Sequence, residues 1–99
     1  MTLGVKISLR AAAQVRRAAE WWESNRPGAL GAIASDFGVA VALFAEQPGI
    51  GAKYEGWRAS DVRRLFLGRV GYFVYYKVEG NSLHVLAFWH ASRGNQPAL

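Results

Sequence analysis

Apolar residues recur at helical spacing in the first half of the chain, whereas apolar and polar residues alternate in much of the second half. Residues 5–7 form a short alternating run that predicts a first strand. Ser8 then stands at the position of a helix N-cap, and residues 9–23 carry an apolar stripe on one side. The stripe consists of Ala12, Val15, Ala19 and Trp22. The pattern therefore predicts a strand and an amphipathic helix that ends at the Asn-Arg-Pro-Gly break of residues 25–28.

A second helix is predicted over residues 29–46, where apolar residues again fall at helical spacing. Its core stripe consists of Leu30, Ile33, Phe37, Val41 and Phe44. The opposite side is alanine, glycine and valine, and Asp36 is the only charge between Pro27 and Ala45. A membrane span needs about 20 strongly apolar residues, which this stretch of alanine and glycine does not supply. We therefore expect a helix that is covered on more than one side, and no membrane.

Residues 52–60 show no clear period, and we predict that they form a loop. Three strands follow in a meander, joined by turns at residues 68–71 and 79–82 that contain glycine where hairpins require it. The element order is β-α-α-β-β-β. The sequence thus predicts a single α+β domain over residues 1–99, with a helical hairpin packed on a mainly antiparallel four-stranded sheet.

Charge and composition indicate which partners and which kinds of site are to be expected. Residues 1–50 hold five Lys or Arg against four Asp or Glu, and residues 51–99 hold seven against three. The basic second half favours an acidic protein or a nucleic acid as partner. Cysteine is absent, which excludes a disulfide framework and fits a cytoplasmic protein. The spacing of His84 and His90 does not match zinc ligands, and no phosphate-binding glycine motif is present, so neither a metal nor a cofactor is expected.

Several segments together carry a resemblance to a known family. They are Trp21-Trp22 with Asn25-Arg26-Pro27, the Pro-Gly-Ile-Gly break, the run from Arg63-Arg64 to Tyr72 with Tyr75-Tyr76, and the ending Trp89-His90-Ala-Ser-Arg93. Over residues 5–93 the chain resembles the RelE/ParE superfamily of toxins from bacterial type II toxin–antitoxin modules. The resemblance implies a growth inhibitor that an acidic antitoxin neutralises, and oligomers that form only through the antitoxin complex. RelE-like members cleave messenger RNA on the ribosome and ParE-like members poison DNA gyrase, so the target stays open.

An endoribonuclease would need groups that accept and donate protons, and cations around the reacting phosphate. His90 is the candidate acid or base, because histidine is the side chain that titrates near neutral pH. The other catalytic candidates are Arg63, Arg64, Arg69, Arg93 and Tyr72. Strand alternation places Arg63 and Arg64 on opposite faces, and it places His84 on the face of His90 in a structural role. RNA-cleaving relatives typically carry several lysines or a terminal aromatic residue, whereas Lys53 is the only lysine in its region here.

The gyrase-directed hypothesis requires a basic, aromatic surface and no catalytic residues, and we favour it because the ending at residues 89–93 looks more like that branch. Its predicted target contacts are Lys53, Arg64, Arg69, Tyr76, His90 and Arg93. The predicted antitoxin contacts are Trp21, Val39, Arg64 and Arg93. They span the apolar outer surface of the helical hairpin and a basic sheet face. A member that has lost toxicity and only binds an antitoxin is a third hypothesis.

Overall fold

Two helices pack on one face of a mixed sheet. The computed structural model describes residues 2–55, 61–93 and 97. Its elements are β1 (Gly4–Ile7), α1 (Leu9–Asn25), a 3₁₀ turn (Pro27–Ala29), α2 (Ala32–Glu46), β2 (Ala52–Lys53), β3 (Arg63–Leu67), β4 (Tyr72–Glu79) and β5 (Ser82–His90). The strand order across the sheet is β1-β5-β4-β3-β2, with β1 parallel to β5 and the other pairs antiparallel. The predicted α+β class is confirmed.

The sheet has five strands where the sequence predicted four, because the start of the predicted loop pairs with β3. Ala52 lies opposite Arg64, and Lys53 lies opposite Arg63. A strand of two residues is too short to show the alternation by which strands are recognised in a sequence. Residues 54–55 of the predicted loop have no regular structure, and residues 56–60 lie outside the described part of the chain.

α1 begins at the predicted N-cap, where the Ala11 amide donates to Ser8 Oγ at 3.0 Å. Its buried face is made of Ala11, Gln14 and Ala18, and the predicted stripe lies beside it, only partly buried. Gln14 was missed because it is polar. Its Oε1 accepts a hydrogen bond at 2.8 Å from the Phe88 amide, on the part of β5 that extends beyond β1. The helix thereby satisfies a strand amide that has no neighbouring strand on that side.

α2 begins at Ala32, three residues later than predicted. Gly31 adopts a left-handed conformation with a φ of 79°, which favours glycine and separates the 3₁₀ turn from the helix. Leu30 precedes this break and is 67% exposed, so its predicted place in the core is wrong. The other predicted core residues are buried: Ile33, Phe37, Val41 and Phe44. Pro27–Glu46 is long and apolar enough to cross a membrane by length and composition alone, but here its inner side forms the protein core.

A β-bulge in β5 changes which residues face the helices. Tyr75 pairs with Ala87 but Tyr76 pairs with Val85, so Leu86 is an extra residue on β5. Beyond it, Phe88 joins the core beneath the helices. The prediction that His84 shares the face of His90 is therefore wrong. His84 lies opposite Lys77 on the outer face, where its Nε2 is 3.5 Å from a Glu79 oxygen.

Tyr76 belongs to the core, which corrects its predicted role as a target contact. Its side chain has no exposed surface, and its ring stacks on Phe44 with centroids 4.0 Å apart. Its hydroxyl donates to the Pro48 carbonyl and accepts from the Gly51 amide, both at 2.8 Å. Burial raises the pKa of Tyr76, and the Gly51 hydrogen bond offsets part of that rise. The tyrosine thus fixes the loop after α2 against the sheet.

Substitution of Gly51 by alanine tests this contact. A Cβ at Gly51 would lie 2.6 Å from the Tyr76 hydroxyl and 3.0 Å from the Arg64 carbonyl oxygen, whereas a Cβ at Gly49 meets nothing within 4 Å. We expect Gly51→Ala to lower the free energy of unfolding by about 1–3 kcal/mol, as overpacking does, and Gly49→Ala to change it little. Urea denaturation of the two variants measures the difference. Equal stability of both would contradict the described packing of Tyr76.

Candidate functional site

The main cleft lies between the end of α1, the β3–β4 turn and the end of β5. It has a volume of about 770 Å³, within the range of ligand sites. The residues that line it are Trp21, Trp22, Arg26, Gly68, Arg69, Val70, Gly71, Tyr72, His90, Ser92 and Arg93. The turn at residues 68–71 was predicted from its glycines and is present. The site is therefore built by the hairpin turn and the chain that follows the last strand.

A bidentate ion pair ties the turn to α2. Arg69 Nε lies 3.0 Å from one Asp36 oxygen, and Arg69 Nη2 lies 2.6 Å from the other. The hydrogen bond to Asp36 raises the pKa of Arg69, so the guanidinium stays charged. Two parallel hydrogen bonds fix the orientation of an arginine more firmly than a single contact does. Asp36, the only charge in its apolar stretch, thus positions a cation at the cleft.

His90 projects into the cleft beside Tyr72, and the two rings meet edge to face with centroids 4.9 Å apart. The Ser92 amide donates to His90 Nδ1 at 3.1 Å, and the Ser92 hydroxyl lies 2.6 Å from the same nitrogen. Because Nδ1 accepts from a backbone amide, the neutral ring carries its proton on Nε2. A Cβ at Gly71 would lie 3.4 Å from Nε2, so the backbone of the turn approaches this nitrogen closely.

Aromatic rings form the walls of the cleft. Tyr72 stacks on Phe88 with an interplanar angle of 3°, and burial raises the pKa of the Tyr72 hydroxyl. Trp21 and Trp22 meet edge to face at 6.3 Å, and the Arg26 guanidinium lies 5.9 Å from the Trp22 ring centroid. Flat rings beside guanidinium groups suit a planar or anionic ligand.

The charges at the cleft are of one sign. Within the described part of the chain, the lining residues include three arginines and a histidine but no carboxylate. Asp36 contacts Arg69 from outside the lining. Among residues 2–55, 61–93 and 97, no three His, Cys, Asp or Glu side chains form a cluster that could hold a metal ion. The arrangement therefore suits the binding of an anion by arginine donors and by His90 Nε2–H.

Comparison with known proteins identifies the family. The model of the ParE toxin of the type II toxin–antitoxin system parDE matches residues 5–94. The chain belongs to this family of ParE toxins. It is accordingly the toxin of a type II toxin–antitoxin system, and its partner is an antitoxin. Comparison with curated protein sequences found no significant match.

A solved structure supports the same fold for this ParE-family chain. It is described as the chromosomal ParDE TA system from P. aeruginosa, and the two chains are 21% identical. The TM-score is 0.76, over 92% of this chain and 98% of the other. At this identity the likeness concerns the fold alone, and the chemistry of the cleft depends on the residues of this chain.

The cleft of this ParE-family toxin brings together four of the six catalytic candidates. They are Arg69, Tyr72, His90 and Arg93. Arg63 and Arg64 point to opposite faces of the sheet, as alternation predicted, and neither lines the cleft. Arg63 donates to the Gly51 carbonyl at 2.7 Å. Arg64 lies over the Phe73 ring at 4.1 Å and donates to the Tyr75 hydroxyl at 3.2 Å, on the face away from the helices.

The predicted contact residues of the ParE-family toxin that reach the surface fall on four separate surfaces. Lys53 and Arg63 line a different hollow of about 340 Å³, so Lys53 is not part of the cleft. Trp21 is 50% exposed at the cleft rim, and Val39 is 67% exposed on α2. Arg93 lines the cleft and lies over the Trp89 ring at 4.2 Å. Arg64 alone among the predicted antitoxin contacts occupies the outer sheet face.

Sequence reasoning missed Arg26, Asp36 and Ser92 as site residues. Asp36 left a signal, because a lone carboxylate in a stretch of apolar residues implies a charged partner. Ser92 left a weaker signal, because serine side chains often form hydrogen bonds with groups close to them along the chain, and His90 is two residues earlier. Arg26 was noted only as part of a helix break. Its approach to the cleft depends on where α1 ends over the sheet, which no local pattern specifies.

The His90 tautomer is directly measurable. We expect the neutral ring of His90 to carry its proton on Nε2, because Nδ1 accepts from the Ser92 amide. Long-range ¹H–¹⁵N correlation spectra, recorded at a pH where the ring is neutral, distinguish the two nitrogens, and His90→Gln assigns the signals. A proton on Nδ1 would show that the Ser92 amide does not donate to this nitrogen in solution, since only the Ser92 hydroxyl could then accept from it.

Proposed function

We propose that this ParE-family toxin inhibits DNA gyrase by binding, and that the cleft is the surface that contacts the target. Family membership supports a toxin, and the cleft supplies the basic, aromatic surface that a protein–DNA target requires. Under this proposal Arg69, His90 and Arg93 are contact residues. Lys53 lies apart from this surface and has a lesser role.

The hydrogen bond at His90 Nδ1 is the main reason to favour inhibition by binding over catalytic cleavage of RNA. A general base at this position would need an unprotonated nitrogen directed into the cleft. The Ser92 amide occupies the Nδ1 lone pair, which leaves Nε2 as a donor. An N–H donor at Nε2 fits an anionic acceptor and does not fit the removal of a proton from a 2′-hydroxyl.

The positions of the arginines also favour inhibition by binding over RNA cleavage. Phosphate cleavage requires several cations around one reacting phosphorus atom. Arg63 and Arg64 are held elsewhere, and the edge of Arg69 formed by Nε and Nη2 is engaged by Asp36, so only its Nη1 side and the second Nη2 hydrogen can face a phosphate. Burial also raises the pKa of Tyr72, which makes its phenolate less accessible at neutral pH. Ribosome-dependent cleavage of messenger RNA is the second candidate, and a toxin without activity is the third.

His90→Gln separates binding from catalysis, because glutamine keeps a donor near the Nε2 position but does not exchange protons near neutral pH. We expect purified His90→Gln to inhibit gyrase supercoiling within about threefold of the unsubstituted chain, and His90→Ala to be weaker by about 3–10-fold through loss of one hydrogen bond. A nuclease would lose about 10²-fold or more in both variants. Parallel labelling of DNA and protein synthesis after induction identifies the pathway that stops first.

Inhibition of protein synthesis before DNA synthesis, together with inactive His90→Gln, would replace the gyrase proposal with the nuclease. Growth unaffected by the unsubstituted chain would support the inactive alternative. Circular dichroism of each variant shows whether a loss of activity reflects unfolding.

We also propose that the antitoxin covers Trp21 and Val39 on the helices, Arg64 on the outer face and Arg93 between them. Exposed apolar side chains on the helices suit one face of an amphipathic antitoxin helix. On the outer face the Arg64 guanidinium is flanked by Phe73 and by Tyr54, whose ring centroid lies 5.0 Å away. A guanidinium oriented by aromatic rings loses less freedom when it binds a carboxylate. Because Trp21 and Arg93 also border the cleft, the antitoxin would block the target surface directly.

Arg64→Ala tests the outer-face contact. We expect the cognate antitoxin to bind this variant at least about fivefold more weakly, because a central arginine contributes 1 kcal/mol or more to such interfaces. Arg16→Ala serves as the control of equal charge, since Arg16 lies exposed on α1 outside the cleft. Titration calorimetry measures both affinities. Equal affinities of the two variants would remove Arg64 from the antitoxin interface.

A further inference from the structure

A second hollow along α1 adjoins the cleft. This hollow has a volume of about 180 Å³ and shares Trp21, Tyr72 and Arg93 with the cleft. It adds Gln14 and Arg17 from α1. We call the combined depression the arginine channel. Its cations are Arg17, Arg26, Arg69 and Arg93, and no carboxylate lines it within the described part of the chain.

We propose that the arginine channel binds a single strand of nucleic acid, with phosphates on its arginines and one unpaired base against Trp21. This inference rests on the proposed function, because the cleft is proposed there as the surface that contacts the target. The proposed ligand of the target-contact site is a phosphodiester strand, which is bound through its phosphates and through the flat face of one base.

Two features favour a nucleic acid strand over an acidic peptide. The four arginines come from α1, from the chain that follows it, from the β3–β4 turn and from the chain after β5, and they are distributed over two adjoining hollows, which matches phosphates repeated along a strand. Trp21 is half exposed at the place where the two hollows meet, and every base offers a flat face that stacks on such a ring.

The size of the channel favours a single strand over a duplex. A cleft of about 770 Å³ accommodates a ligand as large as one or two unstacked nucleotides. In a duplex the bases are stacked inside the helix, so Trp21 could not reach a ring face. No part of the described channel suggests readout of a particular base, and we expect weak sequence preference.

The test uses the full chain and a fluorescein-labelled decathymidylate, with affinity measured by anisotropy at several salt concentrations. Each phosphate contact contributes a slope of about −0.7 to the plot of log affinity against log salt, so Arg26→Ala and Arg93→Ala should each make the slope shallower by about that amount. Trp21→Ala should weaken binding at least about fivefold at fixed salt, with the slope unchanged, because it removes stacking and no charge. Arg16→Ala, on α1 outside the channel, is the control for net charge.

Losses in Arg16→Ala equal to those in Arg26→Ala and Arg93→Ala would overturn the inference, because they would indicate diffuse attraction to a basic protein. Binding of labelled deca-glutamate that is tighter than that of decathymidylate and sensitive to Arg93→Ala would also overturn it, in favour of a carboxylate site. Gyrase supercoiling is measured separately. Inhibition without decathymidylate binding refutes this inference alone, whereas decathymidylate binding without inhibition refutes the gyrase proposal alone.

Discussion

The extra residue Leu86 in β5 determines which side chains reach the cleft, because strand side chains alternate with a period of two. Without the bulge, Phe88 and His90 would lie on the outer face with His84. With it, Phe88 enters the core, where Tyr72 stacks on it and supports the ring beside His90. The bulge occurs where β5 leaves β1, and Gln14 takes over the hydrogen bond to the Phe88 amide. Sheet register, helix position and cleft chemistry therefore depend on a single insertion.

The second constraint on the cleft is electrostatic. Arg69 lies on a hairpin turn with 62% of its side chain exposed, and an unsupported arginine there would sample many rotamers. The Asp36 carboxylate selects one of them by two hydrogen bonds. It also neutralises one charge where several cations converge, which lowers their mutual repulsion. The positive charge of the cleft then comes mainly from Arg26 and Arg93, whose guanidinium groups lie near indole rings.

Local signals in the sequence predicted the features that local chemistry controls. The Ser8 cap, both hairpin turns and the opposite orientations of Arg63 and Arg64 are present as expected. The bulge was not predictable, because Leu86 fits either face of a strand and only the tertiary register shows that it is extra. The late start of α2 could have been read from Gly31, but an isolated glycine is also tolerated inside helices. Strand alternation favours at least one of Tyr72 and Tyr76 in the core but does not show which, because a tyrosine suits both environments. The burial of Tyr76 depends on a loop 25 residues earlier.

On the proposed assignment of contacts, one small sheet serves two partners. Alternation along β3 sends Arg64 to the face without helices, while the hairpin turn beyond it sends Arg69 to the cleft. On the proposed assignment, an antitoxin that crosses the sheet edge contacts Arg64 and Arg93 in one path and covers the cleft from its rim. The antitoxin and target surfaces then need to share only a few residues for neutralisation, because a bound antitoxin would clash sterically with a target as large as gyrase with DNA. A partner that covers both faces gains area beyond the shared residues, and it can therefore bind more tightly than the target it displaces.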